Sequence, residues 1–277
     1  MARIIIEAGR KSRHYWKDIW RYRELFYFLA WRDILVRYRQ TLIGFAWALL
    51  RPMLTMFVLC FIFGRVAQVS SDGVPRPILV FSGLLPWMFF ANSLSDSSNS
   101  LVTNSNLISK IYFPRLIIPA SSLIVGLVDF FISFLILSFL VEWYHYDPVW
   151  HFHFTWHIFL LPLLIPLAFL SALGPGLIST VLNVKYRDFR FIIPFVVQFG
   201  LYLSPVGFSS SHVPEKWRLL YSLNPMVGVI DSFRWAICGN QPIYWPGFGI
   251  SLAFIVFLLF LGIHVFRRME RQFADII

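Results

Sequence analysis

The sequence predicts an all-α integral membrane protein. It has six transmembrane helices, an N-terminal amphipathic interfacial helix, and short re-entrant helices between spans five and six. Three observations carry this. Of 277 residues, 58% are hydrophobic and 14% charged, against roughly 25% charged in a soluble domain. Six runs approach the ~20 mostly apolar residues that a spanning helix needs. The surplus of cations, 24 Lys and Arg against 14 Asp and Glu, gathers on alternate connections, as repeated crossing requires. Such a composition excludes an ordinary cytosolic enzyme and a disordered chain, and it argues against a nucleic-acid partner. Cys60 and Cys238 are the two cysteines, too few and too distant for a disulfide framework or a metal site.

Residues 1–41 form a cytoplasmic arm. Within it Phe26, Tyr27, Ala30, Trp31, Ile34, Leu35 and Tyr38 share one face of a helix. Trp16, Trp20 and Trp31 stand among Lys17, Arg21 and Arg32, the make-up of a segment lying in the headgroup layer. Two roles are open for it, an interfacial anchor or also a guide for an anionic lipid-linked cargo. An arm this long and basic before the first apolar run is unlike a cleaved signal peptide.

Residues 42–277 form the membrane domain. Its spans are 42–63, 78–101, 116–141, 156–182, 191–208 and 248–266. The second is weak, because Asn92, Ser93, Ser95, Asp96, Ser97 and Ser98 make its latter half polar. Ten Lys and Arg precede the first span, and eight more (Lys110, Arg115, Lys185, Arg187, Arg190, Arg267, Arg268, Arg271) lie on the same side. The positive-inside rule then puts both termini in the cytoplasm, as an even number of spans demands. Between spans five and six, residues 204–246 lie outside and are broken by Pro205, Pro214 and Pro225. The run 225–237 has helical periodicity with proline at a favoured first position. Too apolar for a free loop and too short to span, it predicts a half-buried or re-entrant helix over an outer opening. No internal repeat is evident.

Chemistry-bearing motifs are sparse. Gly9, Arg10, Lys11 and Ser12 lack the spacing of a phosphate-cradling loop, so the chain has no recognisable means of hydrolysing a nucleotide. No Asp-X-Asp metal clamp occurs. The outer connection carries Glu142, His145, Asp147, His151, His153 and His157, but at no compact ligand spacing, so no metal is expected. Asp129, midway along span three, is open to two readings, a proton site or a hydrogen-bonded group facing the protein interior. Arg51 lies about 13 Å into span one. It either snorkels back to the cytoplasmic face or holds a diphosphate with its forked donors. The 30 Phe, 11 Trp and 11 Tyr face lipid or line a passage where flat rings stack on sugars, and composition does not separate the two.

Three blocks resemble one family. Residues 32–44 (RDILVRYRQTLIG), with Trp47, Ala48, Arg51 and Pro52, look like the start of the first span in ABC-2-type polysaccharide exporter permeases. Residues 106–115 (NLISKIYFPR) resemble the family's loop between spans two and three. Tyr186, Arg187, Asp188, Gln198, the run 204–206, the run 223–226, Phe233 and Arg234 resemble its second half. The likeness is collinear over nearly the whole chain, which makes it more specific than any single motif.

The resemblance implies a transport subunit rather than an enzyme. It implies a homodimer of permeases in the bacterial inner membrane, joined to two copies of a separate ATPase that binds ATP and Mg, with no cofactor in this chain. Its cargo is a glycan on undecaprenyl diphosphate. Asn106, Leu107, Ile108, Ser109, Lys110, Ile111, Tyr112, Phe113 and Arg115 would form a coupling helix ended by Pro114, with Arg187 and Asp188 as a second cytoplasmic contact. Arg37, Arg39 and Arg51 would attract the lipid diphosphate. Trp47, Phe57, Phe61, Phe195, Phe199 and Tyr202 are candidate ring contacts along a glycan channel between spans one and five. Pro225, Met226, Val229, Ile230 and Phe233 would belong to an outer gate. Two alternatives stay open, a membrane enzyme acting on lipid-linked sugars and an exporter of a small lipid or drug.

Overall fold

Apolar runs parted by prolines and polar turns fold into a bundle of helices. The computed structural model describes residues 15–39, 44–145, 155–239, 242–270 and 272–273, and all regular structure among them is helical. In order the helices are α1 (Tyr15–Arg21), α2 (Arg23–Arg39), α3 (Gly44–Phe61), α4 (Arg76–Thr103), α5 (Ser105–Lys110), α6 (Ile117–His145), α7 (Leu161–Lys185), α8 (Phe189–Leu203), α9 (Glu215–Tyr221), α10 (Pro225–Cys238) and α11 (Trp245–Met269). A π-helical turn, Ile62–Val66, prolongs α3, and a 3-10 turn, Trp156–Leu160, leads into α7.

Five stretches are long and apolar enough to cross a bilayer: Ala46–Val66, Arg76–Thr103, Ile117–His145, Trp156–Lys185 and Trp245–Met269. The predicted fifth span differs. It is the 15-residue α8, about 22 Å long at 1.5 Å per residue. Ser204 turns extended (φ −96°, ψ 152°) directly after it, and Pro205 has no N–H to carry the ladder on.

The weak second span is the most buried of the five crossing stretches. α4 touches α3, α6, α7, α8 and α10. Its serines point inward: Ser93, Ser97 and Ser98 are fully buried. Thr180 of α7 donates to the Ser97 carbonyl at 2.8 Å, and Asn183 Nδ2 donates to the Ser98 carbonyl at 2.9 Å. Polar groups at membrane depth need protein partners, and here they glue α4 to α7. Small residues do the same work between α7 and α11. A Cβ on Gly262 would lie 2.5 Å from the Gly174 carbonyl oxygen, so the two backbones touch. Gly262→Val should therefore force the helices apart at about 1–3 kcal/mol, read as a lower melting temperature of the purified chain.

The N-terminal arm departs from expectation in one way. Of the predicted apolar face, Ala30 is buried beside Leu29, while Tyr27 and Trp31 are exposed and stack on each other, ring centroids 6.4 Å apart. The pattern covers two adjacent ridges of α2, and only one meets α6. α2 packs chiefly on α6, and two of its arginines reach α4: Arg32 donates to Asn104 (2.8 Å) and Arg37 to Asp96 (3.2 Å).

The helix predicted after Pro225 is α10. Asn224 caps it by accepting the Met226 N–H at 3.0 Å, and Gly239 closes it in the left-handed region (φ 67°). It sits deeper than the half-buried position expected, packed on α4, α7 and α11. Arg234 locks it in place. Its guanidinium donates to the carbonyls of Leu79 (3.2 Å), Val206 (2.7 Å) and Phe208 (2.7 Å). Most core side chains form one large cluster around α4 and α10. A second gathers Tyr15, Leu29, Ile108, Phe113, Leu116, Phe266 and Phe273 at the end rich in Lys and Arg, here called the basic end.

Candidate functional site

Aromatic faces are uncovered on α3 and α8, and both helices flank α4. Trp47, Phe57 and Phe61 on α3, and Phe195, Phe199 and Tyr202 on α8, are each more than half exposed. Phe195 and Phe199 lie against each other with centroids 4.3 Å apart. α8 buries only Ile193. It stays close to α4 because Gly200 leaves room for Trp87, whose ring a Cβ would meet at 2.6 Å. Large rings are also exposed on α6 (Phe131, Phe139) and α11 (Phe257, Phe260). Exposed Arg51 and Gln198 interrupt the α3 and α8 faces, as exposed Ser138 and His264 interrupt those of α6 and α11, and among the described residues only the α3 face carries a cation that lines a cavity.

Beside α3 a cavity of about 480 Å³ opens between α2, α3, α4 and α6, lined among others by Arg37, Tyr38, Trp47, Arg51, Asn92 and Asp129. Arg37, expected to attract the lipid diphosphate, already has partners within the chain. It pairs with Asp96 (3.2 Å) and Asp129 (3.3 Å), and the Tyr38 hydroxyl donates to Asp129. Burial pulls the Arg37 pKa down, but the two carboxylates more than reverse it, so the guanidinium holds its proton. Asp129 is thus hydrogen-bonded and charge-paired at the cavity wall. Arg39 ends α2, and its side chain lies outside the described residues. Arg51 lines the same cavity exposed, with no side-chain partner among the described residues.

At the basic end, α5 presents Asn106, Ser109 and Lys110, followed by Ile111 and Tyr112, all exposed. Tyr186, Arg187 and Asp188 form a second exposed set. The rest of the predicted coupling stretch faces inward: Leu107 is half-buried, and Ile108 and Phe113 plug the second core. Pro114 does not end the helix. Ile111 already turns extended (φ −129°, ψ 135°), and Pro114 instead accepts the Ile117 N–H (3.2 Å) in the turn that starts α6. Arg115 is also turned inward, its backbone N–H donating to Glu270 Oε1 (2.8 Å) and its Nη1 to the Glu270 carbonyl (2.6 Å). Burial raises the Glu270 carboxyl above its ordinary range, against the lowering pull of the Arg115 N–H and the Tyr15 hydroxyl.

At the opposite end, Met226, Val229, Ile230 and Phe233 are at most 1% exposed and pack inside the chain's own core, with Pro225 half-buried at the head of α10. Of the acidic and histidine residues between α6 and α7, Asp147, His151 and His153 lie outside the described residues. His157 rests on the Trp235 ring at 4.0 Å. Among the described residues no three His, Cys, Asp or Glu side chains gather as metal ligands. Sequence reasoning missed Tyr38, Glu270 and the buried role of Arg234. A cation within an apolar helical run was the signal for Arg234, whereas Glu270 carried none.

A helical bundle with five stretches able to cross a bilayer and polar groups stapled inside it marks an integral membrane protein. The chain belongs to the ABC-2 type transporter family, which it matches over residues 24–238. It is 27% identical over 263 residues to the O-antigen export system permease protein RfbA of Myxococcus xanthus, covering 94% of this chain and 97% of that protein. A protein of the same name from Klebsiella pneumoniae is 26% identical over 89% of this chain and 92% of its own length. The polysialic acid transport protein KpsM of Escherichia coli is 24% identical over 86% of this chain and 91% of its own.

Proposed function

We propose that the chain is the permease subunit of an exporter that moves a lipid-diphosphate-linked polysaccharide outward across the bacterial cytoplasmic membrane. One structural observation carries this: exposed rings on α3 and α8, flanking α4 and broken by Arg51 and Gln198. Two copies of the chain would face each other through those surfaces. The space between them would offer apolar sugar faces flat partners with few fixed hydrogen bonds, so a long chain keeps sliding. In this reading α8 completes a sixth crossing together with the turn after Leu203, and both termini are cytoplasmic. Exposed Arg51, not Arg37, meets the undecaprenyl-type diphosphate. Two separate ATPase subunits, binding ATP and Mg themselves, would dock on Asn106, Ser109, Lys110, Ile111 and Tyr112, with Arg187 and Asp188 beside them. The buried α10 acts as the floor of an outer gate.

Deletion of the gene should trap finished glycan inside the cell, and the parental gene should restore surface glycan. Phe57→Ala with Phe199→Ala should lower export about tenfold by removing two stacking contacts. Lys110→Glu should uncouple the ATPase without loss of membrane-inserted chain. Normal surface glycan in the deletion strain would favour a small lipid or drug as cargo. Modification of lipid-linked sugar by the purified chain alone would favour the enzyme reading.

A further inference from the structure

We infer that Glu270 is a positioning residue that binds the α5–α6 turn, the α1 arm and the end of α11 into one moving body, a role that rests on the transport reading above. Two segments distant in sequence converge on this side chain at the end of α11. Its Oε1 accepts the Arg115 backbone N–H at 2.8 Å and the Tyr15 hydroxyl at 3.2 Å. Its own carbonyl accepts Arg115 Nη1 at 2.6 Å, so Arg115 is held at both its backbone and its guanidinium. Arg267, one turn earlier on α11, stands over the Tyr15 ring at 4.6 Å. Glu270 is also fixed from its own side, its N–H donating to the Phe266 carbonyl at 2.8 Å.

Around this polar knot lies the second core. Ile108 from α5, Phe113 and Leu116 from the turn after it, Tyr15 from α1, and Phe266 with Phe273 from the C-terminal end are all buried in it. Apolar packing alone lets such elements slide over one another. A carboxylate accepting two donors from two segments fixes their relative direction, because hydrogen bonds weaken steeply with angle. A push on the exposed side of α5 therefore reaches Arg115, passes through Glu270 to Tyr15, and moves α1 and α2. At the far end of α2 stands Arg37, clamped to Asp96 and Asp129 beside the cavity. The knot is the link between the docking surface and the mouth of the proposed path.

The test uses the full chain, alone and in complex with its ATPase, as parental, Glu270→Ala and Glu270→Gln forms. Glu270→Gln keeps a carbonyl oxygen to accept both donors, and it serves as the rescue. In the purified chain, Glu270→Ala should speed backbone deuterium exchange in residues 15–21 and 111–117 together, with Glu270→Gln near parental. In the complex, Glu270→Ala should leave ATP turnover within about twofold while glycan exported per ATP falls about tenfold, the loss of a pair of hydrogen bonds to a charged group. Faster exchange in only one segment, or in neither, overturns the tie. So does a parallel fall of turnover and export, which marks a role in folding alone, and so does an unchanged export ratio. If the parental complex exports no glycan, the transport reading falls, and the exchange experiment still decides whether Glu270 joins the segments.

Discussion

Arg234→Ala should unfold the end of the bundle opposite the basic surface and deplete the chain from the membrane. The alanine strands the carbonyls of Leu79, Val206 and Phe208 inside a packed core. It also removes one of the two cations, Arg234 and Arg218, that favour the Asp231 carboxylate, which keeps the Ser210 hydroxyl as a donor. Breaking a buried charged cluster from one side costs about 3–5 kcal/mol, because the partners left behind can no longer reach water. Arg234→Lys should recover little, since one ammonium cannot donate to three carbonyls in a fork. Thermal unfolding of the purified chain is the measurement. A melting temperature equal to the parental one would remove Arg234 from the account of what holds α10.

Arg37→Ala should release α2 from the bundle. Without the guanidinium, Asp96 and Asp129 face each other across the same small space. Both are partly open to solvent, so the penalty is about 1–3 kcal/mol, between that of a buried pair and an exposed one. Export should nonetheless be lost, because the arm that borders the cavity no longer holds its place. The check is a rescue. Adding Asp96→Asn and Asp129→Asn to Arg37→Ala removes the stranded charges and should restore melting temperature, but not export. Recovery of both would mean that the arm's docking is irrelevant to transport.

Much of this molecule was legible in its sequence, because membrane helices obey strong rules. Length and apolarity located five crossing helices, and Pro225 followed by helical periodicity located α10. Partnership was not legible. Arg37 reads as a free cation among other cations, and only the fold brings Asp96 and Asp129, from two other helices, to it. The α2 pattern marked two ridges, and nothing local says which one another helix will cover. Arg115 sits in a basic turn that reads as a docking surface, yet Glu270, 155 residues away, turns it inward. For α8, the apolar run extends past the helix itself, because hydropathy is blind to the break that Ser204 and Pro205 impose. The six ring positions on α3 and α8 came from family likeness. Their common exposure is a property of the fold that aromatic content alone could not supply.

The polar stripe on α4 has a consequence for how the protein is made. This segment, with its hydroxyls and an aspartate, is the least apolar of the five crossing stretches. The groups that satisfy its backbone, Thr180 and Asn183, lie 83 and 85 residues further along the chain. Its stable seating is therefore expected only once α7 has been made, and a chain truncated before residue 180 should be lost from the membrane faster than the full chain.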